Sequence, residues 1–218
     1  MPNLSLENVS YNYRKSGSAA VKDANCVFEP GMLYAVVGPS GSGKSTLLSM
    51  LAGLDLPSVG DIWFGDENLK GMDLDRYRRE NVSMIFQAFQ LFPLLTAVEN
   101  VCFPMELCGV KSPEAKPKAK ELLDNLGISP EQMKRFPSRL SGGEQQRVAI
   151  ARSLATGAKT LLADEPTGNL DIANSKNIMD ILHKLATADD YCVIVVTHDL
   201  EIAETADVVY QMRDGVLS

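Results

Sequence analysis

Eight consecutive residues, Gly38-Pro39-Ser40-Gly41-Ser42-Gly43-Lys44-Ser45, constrain what this chain can fold into more than any other stretch. They follow a short apolar run, Leu33–Val37, and precede the helix-forming segment Thr46–Ala52. A strand, a glycine-rich turn and a helix in that order satisfy G-x-x-x-x-G-K-[ST] at every fixed position and in the required context. The glycines let backbone N–H groups converge on an anion without Cβ clashes, and the helix N-terminus adds a favourable field. Lys44 can reach the β- and γ-phosphates, and the Ser45 hydroxyl can ligate Mg²⁺. The pattern therefore predicts ATP or GTP bound with Mg²⁺, held by Gly38 through Thr46.

A second chemical signal lies at the end of another apolar run. Thr160–Ala163 reads as a strand and delivers two adjacent carboxylates, Asp164 and Glu165. Ligands of open α/β sheets sit at the C-terminal ends of strands. Asp164 is suited to hold Mg²⁺ through water, and Glu165 to polarise an attacking water. Successive residues of a continued strand would face opposite ways, which fits two different tasks.

Texture along the chain divides it into three regions. Strand-like stretches (Leu4–Tyr13, Ala24–Phe28, Leu33–Val37, Asp61–Phe64) dominate the first part and are punctuated by Gly17, Gly31 and Gly65. From Ala88 to about Leu140 the chain holds six of its eleven prolines and reads as short helices. Ser112-Pro113 and Ser129-Pro130 look like helix starts, Gly127 like a helix stop, and Pro117 is expected to delay one start past Lys116. Beyond Gly142, helix and strand alternate, with Ile178, Ile181, Leu182 and Leu185 on one helical face and the strand Val193–Thr197 nearly continuous in apolar residues. The chain ends in an expected hairpin, Val208–Met212 and Val216–Leu217 around Asp214-Gly215. The sum is an α/β core carrying a small antiparallel sheet and an inserted helical subdomain.

Between these regions lies Leu140-Ser141-Gly142-Gly143-Glu144-Gln145-Gln146-Arg147. Ser141 followed by Glu144 is a capping box opening a helix over Gly143–Thr156. Two glycines just after a cap cost about 1 kcal/mol each in a helix. They make sense where a helix N-terminus must press on an anion.

With this motif the chain resembles the ABC ATPase family, whose signature is LSGGQ; here it reads LSGGE. The resemblance covers essentially the whole chain with motifs in family order. Gln87, after the strand-like Val82–Phe86, matches the Q-loop glutamine and is expected near the metal; Asn169-Leu170-Asp171 matches the D-loop; His198 matches the switch histidine. Tyr13 matches the aromatic that stacks on adenine, with Tyr11 as the alternative. Read as bare residues, Gln87 also fits a surface amide, His198 is more often a core or helix-capping histidine, and a single tyrosine at 11 or 13 more often packs the small sheet.

The resemblance implies a P-loop NTPase core of the RecA-like kind over 1–87 and 159–218, with a helical subdomain over 88–158. It implies two copies facing head to tail on two ATP, with Ser141, Gly142, Gly143 and Asp171 of each serving the partner's nucleotide. Glu165 would orient the water and His198 would contact the γ-phosphate. A lone copy should bind ATP and turn over poorly.

Ala163–Asp171 and Phe89–Val101 look like the bacterial macrolide-export, lipoprotein-release and antimicrobial-peptide-export branch. That branch implies a separate membrane permease as partner and a cargo that is a peptide, lipoprotein, antibiotic or other amphiphile. Phe89, Leu91, Phe92, Leu94 and Leu95 crowd a proline-interrupted segment. Part of this set is expected to line a groove for a permease helix, and the larger part to pack the helical subdomain. Rival classes are a soluble ABC-type ATPase of translation or repair, a P-loop kinase, and a subunit that transmits force rather than cargo.

Bulk properties narrow the partners. At 218 residues with 45% hydrophobic and 22% charged residues, the chain is an ordinary globular protein with a full core. A net charge of −7 argues against nucleic acid, which needs a basic face. No basic-then-apolar leader is present at MPNLSLENVS, and no apolar run approaches the roughly 20 residues of a membrane span. A cytoplasmic protein, peripheral at the membrane through its permease, is expected. Cys26, Cys102, Cys108 and Cys192 show no CxxC spacing and are expected as buried small hydrophobes.

Overall fold

The structure, a computed structural model, describes residues 2–13 and 19–218; the turn expected at Gly17 lies outside them. The first strands are β1 (Leu4–Tyr11), β2 (Val21–Phe28) and β3 (Leu33–Val37), followed by helix α1 (Lys44–Leu51). Next come β4 (Val59–Phe64), β5 (Glu67–Asn68), α2 (Leu74–Glu80) and β6 (Val82–Ile85). The helical stretch contributes α3 (Ala97–Leu107), α4 (Ser112–Asn125) and α5 (Gly142–Leu154). β7 (Thr160–Asp164), α6 (Ile172–Asp189), β8 (Cys192–Thr197), α7 (Leu200–Ala203), β9 (Val208–Arg213) and β10 (Val216–Leu217) complete it.

The strands join in the order β5-β4-β1-β2-β10-β9-β3-β8-β7-β6. β9, β3, β8, β7 and β6 run parallel, whereas β1, β2, β4 and β5 form the antiparallel sheet expected from the N-terminal alternation. The terminal hairpin connects the two: β9 lies parallel to β3, and β10 pairs with β2 at Val216 and Lys22. Its turn places Asp214 and Gly215 at φ 50° and 85°, the left-handed pair a tight hairpin needs.

Period-two alternation in the parallel strands divides the core. Leu161, Ala163, Val193 and Val195 pack with α3, α4, α5 and α6, while Leu162, Ile194, Val196 and Cys192 pack with α1 and the antiparallel strands. Ile178, Leu182 and Leu185 of α6 join the first cluster as buried residues and Ile181 at its margin.

The helical stretch departs from its sequence in two places. α4 starts at Ser112 with Lys111 as its cap, so Pro117 does not delay it. Ala115, Ala119 and Leu123, four apart and fully buried, fasten the whole helix to the core and outweigh the one hydrogen bond Pro117 omits. The Ser129 N–H donates to Gln132 Oε1 at 2.7 Å, but the helix start expected at Ser129-Pro130 is not found: only a 3-10 turn, Gln132–Lys134, follows, and its N-cap is Glu131. Pro137 holds Phe136 extended and closes the segment. Gly127 does stop α4, at φ 72°. The cysteine expectation also fails in part: Cys102 and Cys192 are buried and Cys26 half-buried, but Cys108, at the end of α3, is exposed.

Two capping boxes fix the helices that matter for the site. Thr96 and Glu99 close the first turn of α3, Ser141 and Glu144 that of α5. The Thr96 hydroxyl and N–H hold the Glu99 carboxyl below its usual range, and the Ser141 N–H, with Gln132, does the same for Glu144. A depressed carboxylate stabilises the fold above its unfolded pKa, about 4.3 for Glu, and that contribution is lost as pH falls through the lower folded value. Calorimetry should therefore show the unfolding temperature dropping below about pH 4.3, and Glu144→Gln should flatten part of that drop.

Candidate nucleotide site

Phosphate chemistry starts where β3 gives way to α1. The Gly38 N–H donates to the Thr197 carbonyl at 3.3 Å, tying the loop to the end of β8. A Cβ at Gly38 would stand 2.1 Å from the Met212 carbonyl oxygen, and one at Gly43 would stand 2.2 Å from that of Ala20. Gly43 also sits at φ 109°, so both glycines are required by close backbone approach. Helix α1 begins at Lys44, two residues earlier than the sequence suggested. The Lys44 ammonium is buried and donates to the Gly38 and Pro39 carbonyls at 2.7 and 2.9 Å, inside the loop itself.

Ser45 and Asp164, the two oxygen donors expected to serve Mg²⁺, lie side by side. Ser45 Oγ donates to Asp164 Oδ1 at 3.3 Å, joining the first turn of α1 to the end of β7. Burial raises the Asp164 pKa, with the Ser45 bond and the Lys44 charge opposing and Glu165 adding to the rise. Mg²⁺ suits this pair: a hydroxyl and a carboxylate are hard oxygen donors, and Mg²⁺ takes one or two protein ligands beside phosphate and water. Among the described residues no cluster of three His, Cys, Asp or Glu gathers elsewhere as a metal site.

Strand β7 stops at Asp164, and Glu165 turns left-handed at φ 45°. A non-glycine residue there costs roughly 1–2 kcal/mol. The turn is held by Glu165 N–H donating to Val196 O at 2.9 Å and by Gly168 N–H donating to Glu165 O at 3.1 Å. It brings the Glu165 carboxylate to His198, whose Nδ1 lies 2.9 Å from Oε2. Gln87 converges on the same point: a Cβ at Gly168 would lie 2.8 Å from Gln87 Nε2 and 3.3 Å from Glu165 Oε2. Asn169, which the sequence singled out only as part of a motif, donates from Nδ2 to the Gln87 carbonyl at 2.8 Å.

Tyr13, 48% exposed, hydrogen-bonds Thr46 Oγ1 at 2.9 Å and meets Tyr11 edge-on at 5.0 Å. Tyr11 instead donates to Asp55 at 3.2 Å. Tyr13 is thus hydrogen-bonded to the phosphate-loop helix, and Tyr11 packs at the margin of the core that includes Leu47, Leu48, Met50 and Leu51.

Ser141, Gly142, Gly143 and Asp171 form a second centre. Ser141 Oγ accepts from Glu144 N–H at 3.3 Å, as the capping box requires. A Cβ at Gly143 would stand 2.3 Å from Asn174 Oδ1, and one at Gly142 would stand 3.3 Å from Leu170. Asp171 caps α6 by accepting from the Asn174 N–H at 2.8 Å and from its amide at 2.7 Å, which holds the carboxyl below its usual range. Gly143 thus has a reason inside its own chain, the seat of Asn174, beyond any anion. Asn174 was missed in the sequence, although its place three residues after a capping Asp was the available signal.

The family model described as ABC transporter matches residues 21–168, spanning this loop, the signature helix and both carboxylates. The chain belongs to that family. It is 39% identical over 212 residues to the uncharacterized ABC transporter ATP-binding protein YclH of Bacillus subtilis, covering 97% of this chain and 94% of that one. It is 42% identical over 201 residues to the lipoprotein-releasing system ATP-binding protein LolD of Saccharophagus degradans, covering 91% and 88%. The dimeric structure of the ABC transporter cassette MJ0796 superposes with a TM-score of 0.89 at 36% identity, covering 99% of this chain and 96% of that one. The same cassette is also known in a post-hydrolysis dimer with ADP and Pi. This ABC protein is accordingly an ATP-binding, ATP-hydrolysing subunit of a transporter, with an α/β cassette fold and relatives in the branch its sequence resembles.

A further surface of the ABC cassette borders the segment around Gln87, at Phe86, Gln90 and Arg152. A groove of about 490 Å³ is lined by Leu54, Val82, Met84, Phe92, Phe103 and Leu107. Phe92 is 41% exposed and Leu94 86%, whereas Leu91 packs on the core and Phe89 and Leu95 are half-buried. The apolar set after Gln87 is therefore split, as its sequence implied. Among the described residues no helix is long and apolar enough to cross a membrane.

Proposed function

We propose that two copies of this chain close head to tail on two ATP, each with Mg²⁺, and thereby drive a separate membrane permease. The observation that carries this reading is that the two anion-directed elements have different neighbours within the chain. The α5 N-terminus contacts Glu144, Leu170 and Asn174 of its own chain, while the phosphate loop is ringed by Ala20, Thr197 and Met212. A capped, glycine-flanked helix start is suited to an anion, and a second copy brings one to each loop.

Within each closed site the residues have distinct tasks. Lys44 and the loop N–H groups bind the β- and γ-phosphates, and Ser45 and Asp164 hold Mg²⁺, with Gln87 beside them. Mg²⁺ supplies charge neutralisation on the phosphate oxygens. Glu165, oriented by His198, accepts a proton from the attacking water, and His198 and the partner's signature serine face the γ-phosphate. Tyr13 offers its exposed face to adenine, and Asp171 stands at the rim where the copies meet.

The groove at Phe92 and Leu107 receives a short cytoplasmic helix of the permease, which puts the subunit on the inner face of the membrane. The names of the relatives favour export of a lipoprotein, peptide, antibiotic or other amphiphile. Replacing Phe92 or Leu94 with Glu should abolish cargo transport and permease-stimulated turnover while ATP affinity stays within about twofold, since an unpaired charge is costly in an apolar contact. Equal loss of ATP binding and transport would count against the groove. Recovery of the chain with membranes only when its permease is co-expressed tests the location.

A further inference from the structure

Just beyond Gln87 the backbone adopts a conformation that its own sequence does not favour. Phe86–Phe89 form a turn with Gln87 and Ala88 at the centre, closed by the Phe89 N–H donating to the Phe86 carbonyl at 3.2 Å. Phe89 and Gln90 then both lie in the left-handed region, at φ 57° and 48°. Neither is glycine, and two such residues in succession are strained unless the surroundings enforce them.

Locally the Gln90 N–H donates to the Ala88 carbonyl at 2.5 Å, and a second hold comes from α5. Arg152 Nη1 donates to the Gln90 carbonyl at 2.6 Å and Nη2 to the Phe89 carbonyl at 3.1 Å. The two left-handed residues aim consecutive carbonyls in a common direction, and a planar guanidinium fork spans two such acceptors where a lysine ammonium would not. Among the described residues Arg152 makes no ion pair, so these carbonyls are what its charge serves. Its neighbour Ser153 donates to the Met84 carbonyl at 3.0 Å, so one turn of α5 grips both β6 and the segment that follows it. At the other end of α5, a Cβ on Gly142 would lie 3.8 Å from the Phe89 ring.

We infer that Arg152 is a positioning residue for hydrolysis: its fork holds Phe89 and Gln90 left-handed and so keeps the Gln87 amide over Gly168 beside Glu165. This inference rests on the proposed role of Gln87 in the nucleotide site. Arg152 touches neither the phosphate loop nor the carboxylates, and acts only through the backbone it clamps.

The test uses turnover and ATP affinity of the full chain. Arg152→Ala should lower kcat about tenfold with the KM for ATP within about twofold, because a loosened site group costs rate rather than binding. Arg152→Lys should lose nearly as much, since it keeps the charge and loses the fork. Gln90→Gly, in which the left-handed conformation is free of steric cost, should restore at least about half of the lost rate when combined with either substitution. A purely structural role would lower the unfolding temperature and yield no glycine rescue of kcat. Undiminished turnover in Arg152→Lys, or loss that glycine does not recover, would overturn the inference. Gln87→Ala separates the two levels: if it is also silent, the reading of Gln87 is at fault, and if it alone is slow, only the clamp fails.

Discussion

Glu165→Gln should leave a protein that binds ATP, pairs with a second copy and hardly turns over. The amide has the shape of the carboxylate, so its oxygen still accepts from His198 Nδ1, now 2.9 Å from Oε2. The left-handed turn at φ 45° rests on backbone bonds to Val196 and Gly168 and is untouched by the change. What the amide cannot do is take a proton from water. A positioned general base contributes about 10²–10⁴-fold, so kcat should fall by at least about 100-fold while ATP affinity changes by less than about twofold. Size-exclusion with ATP should then show a stable pair, because closure proceeds and the step that opens it does not. A variant that hydrolyses at the parental rate would place the base elsewhere.

Gly143→Ala carries the second large effect and tests the partnership itself. The added methyl would stand 2.3 Å from Asn174 Oδ1 and 2.7 Å from its Cγ. Asn174 cannot yield easily, because Asp171 holds both its N–H, at 2.8 Å, and its amide, at 2.7 Å. Either the cap on α6 breaks or the start of α5 swings away, at a cost of about 1–3 kcal/mol in stability. A displacement of about 1 Å in a helix that must meet a phosphate costs on the order of 10²-fold in rate. The phosphate loop is elsewhere, so ATP binding by a single copy should stay within about twofold. Mixing Gly143→Ala with the equally inactive Lys44→Ala should recover roughly a quarter of parental turnover, since half the pairs are mixed and each has one complete site. No recovery in the mixture would mean that loop and signature do not meet across two copies.

Much of this arrangement was legible because it depends on local spacing. The loop at 38–45 declares itself: only glycine tolerates the backbone contacts at Gly38 and Gly43, and a lysine followed by a hydroxyl residue suits phosphate and metal. The capping box Ser141–Glu144 and the apolar strand that ends at Asp164, just before Glu165, are likewise consequences of nearest-neighbour geometry. The start of α4 was misplaced because a proline signal was weighed without the burial of Ala115, Ala119 and Leu123. The exposure of Cys108 was missed for a related reason, since composition says nothing of which helix end faces water.

From the sequence alone followed a nucleoside triphosphate at residues 38–45 and a carboxylate pair after an apolar strand, each set by residues within a turn or two of one another, and from its resemblance to the ABC family followed the class of machine. Only the folded chain decided that the terminal hairpin joins the two sheets, that His198 reaches Glu165, that Asn174 wedges against Gly143, and that Arg152 clamps a strained segment 62 and 63 residues away. Those contacts join parts distant in sequence, and their energies come from packing and hydrogen bonds that exist only once the parallel strands have set the helices in place.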